Sequence, residues 1–114
     1  MTLFHNRDLW DSSNVSYVNG AIKRYDKARY DKAHRGQDMQ HIDYGLSVFK
    51  AEVFTEYPPD EVFDLAQVMR TLVDRDDMAG FEARERFYEI GSPEGWRELD
   101  QFLCSRVQHE QEIL

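Results

Sequence analysis

The sequence predicts a mixed α/β fold, with a partly antiparallel sheet, in one domain that spans residues 1–114. Two alternating runs of residues meet at Asn19-Gly20, which is the strongest short-range signal for a β-hairpin. Apolar residues recur at helical spacing over 61–75 and again after Ser92. The predicted order is strand, hairpin, strand, helix, strand, helix, and no repeat, low-complexity tract or linker divides it.

The first half of the chain is predicted to be rich in strands. Residues 2–6 form a short strand at the terminus, and such a strand is expected to be an edge of its sheet. Polar, turn-like residues 7–14 lead into the hairpin, which ends at Tyr25. Residues 26–40 are charged and nearly free of aliphatic side chains, which indicates an exposed loop. Residues 41–49 are then predicted to form a buried strand with a polar start.

The second half alternates helix and strand. Residues 50–54 are expected to make a single helical turn, and 57–60 contain a Pro-Pro breaker before the amphipathic helix 61–75. Residues 81–90 alternate apolar and charged side chains, as a half-buried strand does. Ser92 is a good N-cap for the last helix. The stripe that this helix is expected to bury consists of Trp96, Leu99, Phe102, Leu103 and Val107.

Composition excludes several classes of protein. A net charge of −8 argues against a nonspecific nucleic-acid binder, and against attraction to an anionic membrane surface. The chain has no apolar run long enough for a transmembrane helix and no signal-peptide core at its N-terminus. The single Cys104 rules out an internal disulfide and any multi-cysteine metal site, and a small buried role is expected for it. A cytoplasmic location is the simplest inference.

Familiar catalytic motifs are missing. No serine lies in a nucleophile-elbow context, and no Gly-x-Gly-x-x-Gly or Walker-type loop cradles a phosphate. The histidines show no metal-ligand spacing, so the sequence does not predict a zinc site. They are His5, His34, His41 and His109.

Charged residues at predicted strand ends remain as candidates. Asp26 and Lys27 follow the hairpin, where a lysine could pair with a phosphate or could be a solvated loop charge. Asp43 lies within an apolar strand, so its carboxylate should face a cleft or find a partner. Glu89 is expected at the C-terminal edge of a strand, just before the N-cap Ser92, where α/β folds bind ligands. It could bind a cation or a sugar hydroxyl, or merely solvate the strand end.

Five segments together carry a resemblance to a known family. The most specific, 88–94 (Tyr-Glu-Ile-Gly-Ser-Pro-Glu), is similar to the motif Asp-[Ile/Val/Thr]-Gly-Thr-Pro-Glu. The others are 2–4, 10–20 with the Asn-Gly turn, 25–27 at the place of Glu-Lys-Pro, and 42–46 at the place of Asn/Asp-x-Gly-x-Tyr. In this order the chain, from about Thr2 to about Leu103, resembles the C-terminal half of sugar-phosphate nucleotidyltransferases.

By this resemblance the fold is part of a Rossmann-like, GT-A type nucleotidyltransferase domain, a mixed sheet with a β-hairpin and two main helices. The implied reaction is attack of a sugar-1-phosphate on the α-phosphate of a nucleoside triphosphate, which releases pyrophosphate, with Mg²⁺ neutralising charge. Lys27 would be catalytic and would contact the sugar-1-phosphate. Asp26, Asp43 and Gly45 would also contact this substrate, and Glu89 would bind Mg²⁺.

The chain departs from the family pattern in places. Asp26 replaces Glu, no Pro follows Lys27, and Glu89 is one methylene longer than the Asp of the motif. The Gly-x-Gly-Thr-Arg loop, the Pro-Lys-Pro segment and the first metal-binding Asp of the family's N-terminal half are not found. We therefore expect that this chain alone does not transfer nucleotides and needs a separate N-terminal half.

Two alternatives stay open at this point. The chain could be a binding or assembly module that forms a homodimer or docks on a complete nucleotidyltransferase. It could also be an unrelated small α/β protein. The sequence identifies neither the nucleotide nor the sugar.

Overall fold

The structure is a computed structural model that describes residues 1–26 and 39–112, with side chains up to 108. Its mixed α/β class, with a mixed sheet, is the class that the sequence predicts. The strands are β1 (Thr2–His5), β2 (Val15–Val18), β3 (Ala21–Tyr25), β4 (His41–Asp43) and β5 (Phe81–Ala83). The helices are α1 (Leu65–Asp74) and α2 (Pro93–Glu112), with a 3₁₀ turn at Ala51–Glu56 close to the predicted helical turn.

The five strands form one sheet in the order β3-β2-β4-β1-β5. Only the β1–β5 pair is parallel among the described strands. The prediction that the first strand is an edge is wrong, because β1 lies between β4 and β5. The backbone around Met1 anchors the incoming β5: the terminal amine donates to the Ala79 carbonyl, and Phe81 N donates to the Met1 carbonyl, each over 2.9 Å.

The hairpin of β2 and β3 is confirmed. Asn19 and Gly20 have φ angles of 52° and 80°, and a two-residue hairpin turn of type I′ requires positive φ at both positions. Val18 pairs with Ala21 directly beside the turn. The local signal in the sequence was therefore sufficient to specify this element.

Two strands are shorter than predicted. β4 ends at Asp43, where the side chain accepts a hydrogen bond from Gly45 N and turns the chain. β5 ends at Ala83, because its partner β1 ends at His5 and the chain beyond adopts positive φ at Arg7. The prediction that Glu89 lies at the end of a strand is therefore wrong. It lies in an irregular segment, six residues beyond β5.

The core lies between one face of the sheet and α1. Leu3, Val15 and Ile22 pack there with α1 residues that share its apolar face. Those α1 residues are Ala66, Met69 and Val73. The amphipathic helix is confirmed, but it begins at Leu65 rather than 61, because the Asp64 side chain accepts a hydrogen bond from Ala66 N over 2.9 Å and caps it. Of the loop predicted over 26–40, residues 27–38 lie outside the described part.

Helix α2 begins at Pro93, as predicted, but its apolar stripe is only partly buried, at Leu99 and at Phe102, whose ring stacks on Tyr88. Trp96, Leu103 and Val107 are 60%, 50% and 54% exposed, and Cys104 is also exposed rather than buried as predicted. Helical spacing defines an apolar face but does not supply the surface that covers it. In the part of the chain that is described, no helix is both long and apolar enough to cross a membrane.

Candidate functional site

A cleft of about 1070 Å³ opens beside the end of β4. Three parts of the chain form its walls, together with Tyr25 at the end of β3: the turn-like segment 10–14, residues 42–45 at the end of β4, and the irregular segment 86–92 before α2. These parts are distant in sequence, so only the folded chain brings them together. Polar, charged and aromatic side chains all face the cleft.

Aromatic packing fixes the walls of the cleft. The ring of Phe4, which is buried on β1, lies 5.6 Å from the Trp10 ring, 6.4 Å from Tyr44 and 6.1 Å from Phe87. The Tyr44 hydroxyl donates to the Glu85 carbonyl over 3.2 Å. One buried side chain of the sheet therefore holds three rings that line the cleft, one from each wall.

Arg86 brings a positive charge to the cleft. Its guanidinium lies 4.5 Å from the Trp10 ring centre and 4.4 Å from that of Tyr88. It also donates to the Glu98 carboxylate on α2 over 2.5 Å and to the Phe87 carbonyl over 3.3 Å. Contacts with two rings restrict the guanidinium, so the charge is held in place rather than free on the surface.

Asp43 and Gly45 shape the opposite wall. Asp43 is half-buried, its carboxylate accepts from Gly45 N over 3.0 Å, and its own backbone N donates to the Asn14 side chain over 3.0 Å. Gly45 has φ of 80°, with open space where a Cβ would stand. Burial and then the Asp43 charge raise the pKa of the neighbouring Tyr25 to about 12, so its hydroxyl stays protonated and can donate.

Glu89 closes the turn before α2. Its carboxylate accepts from the Ser92 hydroxyl over 2.5 Å and from Gly91 N over 2.7 Å. These two bonds, the hydroxyl first, lower the pKa of Glu89, so the carboxylate is charged at neutral pH. Ser92 in turn accepts from Gly95 N over 3.0 Å, which is the N-cap that the sequence predicts.

The predicted site residues do not all lie together. Asp43, Gly45 and Glu89 border the same cleft. Asp26 borders a separate pocket of about 390 Å³ and is 3.4 Å from the Arg70 guanidinium. Lys27, the predicted catalytic residue, lies outside the described residues.

Sequence reasoning did not select Trp10, Arg86 or Asn14 as functional residues. Because residues 81–90 alternate apolar and charged side chains, the pattern predicts Arg86 as an exposed charge on a strand and gives no sign of a functional role. The isolated Trp10 in an otherwise polar, turn-like segment was the one available signal, because a large aromatic side chain there needs a partner to pack against.

Comparison of the chain with protein-family models, curated proteins and solved structures finds no match in any of the three.

Proposed function

We propose that this cleft binds a sugar phosphate, and that the chain is the sugar-phosphate-binding half of a nucleotidyltransferase. In that role it would serve the transfer of a nucleoside monophosphate from a nucleoside triphosphate to a sugar-1-phosphate. One observation supports the proposal most directly: Asp43 and Gly45 from one motif of the sequence and Glu89 from another, distant motif border a single cleft that also holds Arg86.

The groups in the cleft suit the parts of such a ligand. Two of the five N–H groups of Arg86 bond Phe87 and Glu98, and those that remain can bind phosphate oxygens from a fixed position. Carboxylates accept hydrogen bonds from hydroxyl groups, and Asp43 and Glu89 supply two of them. The walls formed by Trp10 and Tyr88 offer apolar area to the carbon skeleton of a sugar ring.

Magnesium belongs to this proposal through Glu89. Mg²⁺ is bound in proteins by one or two carboxylates together with phosphate oxygens and water. Glu89 is charged, exposed and at the cleft, and its two oxygens retain acceptor capacity beyond the bonds from Gly91 and Ser92. Its position therefore fits a single ligand to an ion that the sugar phosphate would share. The ion would neutralise charge on the phosphates.

The fold is proposed on the same basis. We interpret the sheet as part of a Rossmann-like, GT-A type domain, and the parallel β1–β5 pair supports this, since parallel pairing is the basis of such sheets. The other strand pairs in the described chain are antiparallel, so the Rossmann-like part would be the β1–β5 side of the sheet.

A binding titration tests the proposal. Glucose-1-phosphate is titrated into the protein with Mg²⁺ and followed by amide chemical shifts, with glucose and inorganic phosphate as separate ligands. We expect glucose-1-phosphate to shift the amide signals of residues 43–45 and 86–92, whereas glucose or inorganic phosphate alone should not. Asp43→Asn should bind glucose-1-phosphate at least tenfold more weakly. The matched control Arg75→Gln removes an exposed ion pair with Glu56 outside the cleft and should leave binding unchanged.

Enzyme activity provides a second readout. We expect no sustained pyrophosphate release from the pure chain with any of the common nucleoside triphosphates, because no phosphate-cradling loop is found in its sequence. Sustained release would contradict the idea of a half-enzyme. If none of the three ligands shifts the amide signals of the cleft residues, the proposal as a whole is contradicted.

A second candidate function is self-association through α2. The first strand offers no free edge for such a contact, because β1 is internal. The exposed Trp96, Leu103 and Val107 now favour it instead, since an apolar helix face is the usual basis of helix pairing. Sedimentation should give a dimer that Leu103→Glu dissociates, whereas Gln101→Glu on the same helix should not affect it.

A further inference from the structure

Three potential metal ligands lie together on neighbouring strands. His5 on β1 pairs with His41 on β4, and Glu82 on β5 pairs with Leu3 on β1. Leu3 and His5 are two residues apart on one strand, so all these side chains leave the same face of the sheet. The sequence did not reveal this group, because its members are far apart in the chain and meet only through strand pairing.

The three side chains are close enough to share an ion. The His41 Nε2 atom lies 3.0 Å from Glu82 Oε1, and one ligand atom from each of the three residues lies within 4.8 Å of the others. Two ligands of a tetrahedral zinc ion are about 3.4 Å apart, given metal–ligand distances of about 2.1 Å. The His41–Glu82 pair is near that spacing already, and the exposed His5 can move closer by side-chain rotation.

Burial holds the central ligand in place. His41 is only 8% exposed, its ring stacks on His5 with centres 4.8 Å apart, and Tyr17 packs against its edge. Its Nδ1 atom is buried and has no hydrogen-bond partner among the described residues. The Glu82 side chain is 43% exposed, so an ion can enter from solvent on that side.

We propose that His5, His41 and Glu82 form a binding site for one zinc ion. Two imidazoles and a carboxylate are a ligand set that zinc accepts, whereas Mg²⁺ and Ca²⁺ prefer oxygen alone. Three protein ligands leave a fourth position for water or another ligand. None of the three ligands is among the described residues that line the sugar-phosphate cleft. The zinc site is therefore independent of the proposed function.

The test uses the full chain without an affinity tag. Co²⁺ absorption reports the ligand geometry, and Zn²⁺ competition against a chromophoric chelator gives stoichiometry and affinity. We expect one ion per chain, and at least tenfold weaker binding for His5→Gln and for Glu82→Gln. The double variant His34→Gln/His109→Gln, which retains only the two histidines of the site, should bind as the unmodified protein does.

Folding is checked by circular dichroism for every variant. Glu82 and His5 are exposed, so their variants should fold even if replacement of the buried His41 does not permit folding. Undiminished binding in both Glu82→Gln and His5→Gln would overturn the proposal. So would the absence of binding at free zinc on the order of 100 μM, a concentration at which even a weak site should stabilise the fold.

Discussion

The carboxylate of Glu89 lies directly over Gly95, in the first turn of α2. A Cβ atom at Gly95 would overlap both the backbone oxygen and the carboxylate of Glu89. The glycine is therefore required by a close approach, and not by its backbone angles. This contact joins the irregular segment before α2 to the helix, and so it holds one wall of the cleft in place.

Gly95→Ala should loosen that turn. Alanine favours a helix by about 1 kcal/mol over glycine, but the overlap should cost about 1–3 kcal/mol, so we expect a net loss of order in the first turn of α2. Faster hydrogen exchange of the Gly91 and Trp96 amides would report it. Gln101→Ala in the same helix, which lies away from Glu89, should slow exchange or leave it unchanged. If the Gly95→Ala variant is as protected as the unmodified chain, the close contact with Glu89 is contradicted.

Acid should weaken the same turn. The pKa of Glu89 is lowered by its bonds from Ser92 and Gly91, so the folded turn favours the charged carboxylate. This stabilisation is present above the unfolded pKa of about 4.3 and is lost as pH falls through the lower folded value. Ser92→Ala should raise the pKa of Glu89 in an NMR titration of the carboxyl carbon. Ser105→Ala, whose hydroxyl bonds only within α2, should leave that pKa unchanged.

Alkaline conditions should destabilise the core through Tyr25. Burial and the Asp43 charge raise its pKa to about 12 in the folded chain, against about 10 when unfolded. The protonated phenol is therefore favoured by folding: this contribution is complete below pH 10 and is lost as pH rises towards 12, by on the order of 2 kcal/mol. Measured by urea unfolding, the stability of Tyr25→Phe should fall much less between pH 10 and pH 12 than that of the unmodified chain. The stability of Tyr57→Phe, at a partly exposed position, should fall as much as that of the unmodified chain.

Local signals predicted the fold well where the structure depends on neighbouring residues. Asn19-Gly20 specified the hairpin, and Ser92 specified the start of α2. The errors lie where the structure depends on distant residues. The position of β1 inside the sheet follows from the arrival of β5, and the length of β5 follows from the end of β1.

The candidate sites follow the same rule. Asp43 was selected because it interrupts an apolar strand pattern, and Glu89 because it was expected at the end of a strand just before a helix N-cap. Arg86 gained its place in the cleft only from contacts with Trp10 and Tyr88, which no pattern in the sequence connects. The His5–His41 contact likewise arises from strand register, which single-sequence patterns do not determine.

Two glycines should respond differently to alanine. Gly20 has φ of 80° and open space around it, so Gly20→Ala should cost only the backbone strain of about 1–2 kcal/mol. A Cβ at Gly80 would stand 2.7 Å from the Tyr17 ring and 3.1 Å from Leu3, within the core, where overpacking costs about 1–3 kcal/mol and disturbs neighbours. Urea unfolding should give a cooperative transition for Gly20→Ala, while Gly80→Ala should also alter the Tyr17 ring signals. Unchanged ring signals would contradict the packing at Gly80.

Arg86→Lys tests whether the cleft needs only a positive charge or also the planar guanidinium. Lysine keeps the positive charge, but it lacks the planar fork that stacks on Trp10 and Tyr88 while it bonds Glu98. Each ring contact contributes about 0.5–1 kcal/mol and the exposed ion pair at most about 1 kcal/mol, so the chain should remain folded. Because a lysine would no longer be held between the rings, we expect glucose-1-phosphate to bind at least tenfold more weakly. Arg97→Lys, on the exposed part of α2, is the control that should change neither property. If Arg86→Lys binds as tightly as the unmodified chain, a point charge suffices and the stacked guanidinium has only a structural role.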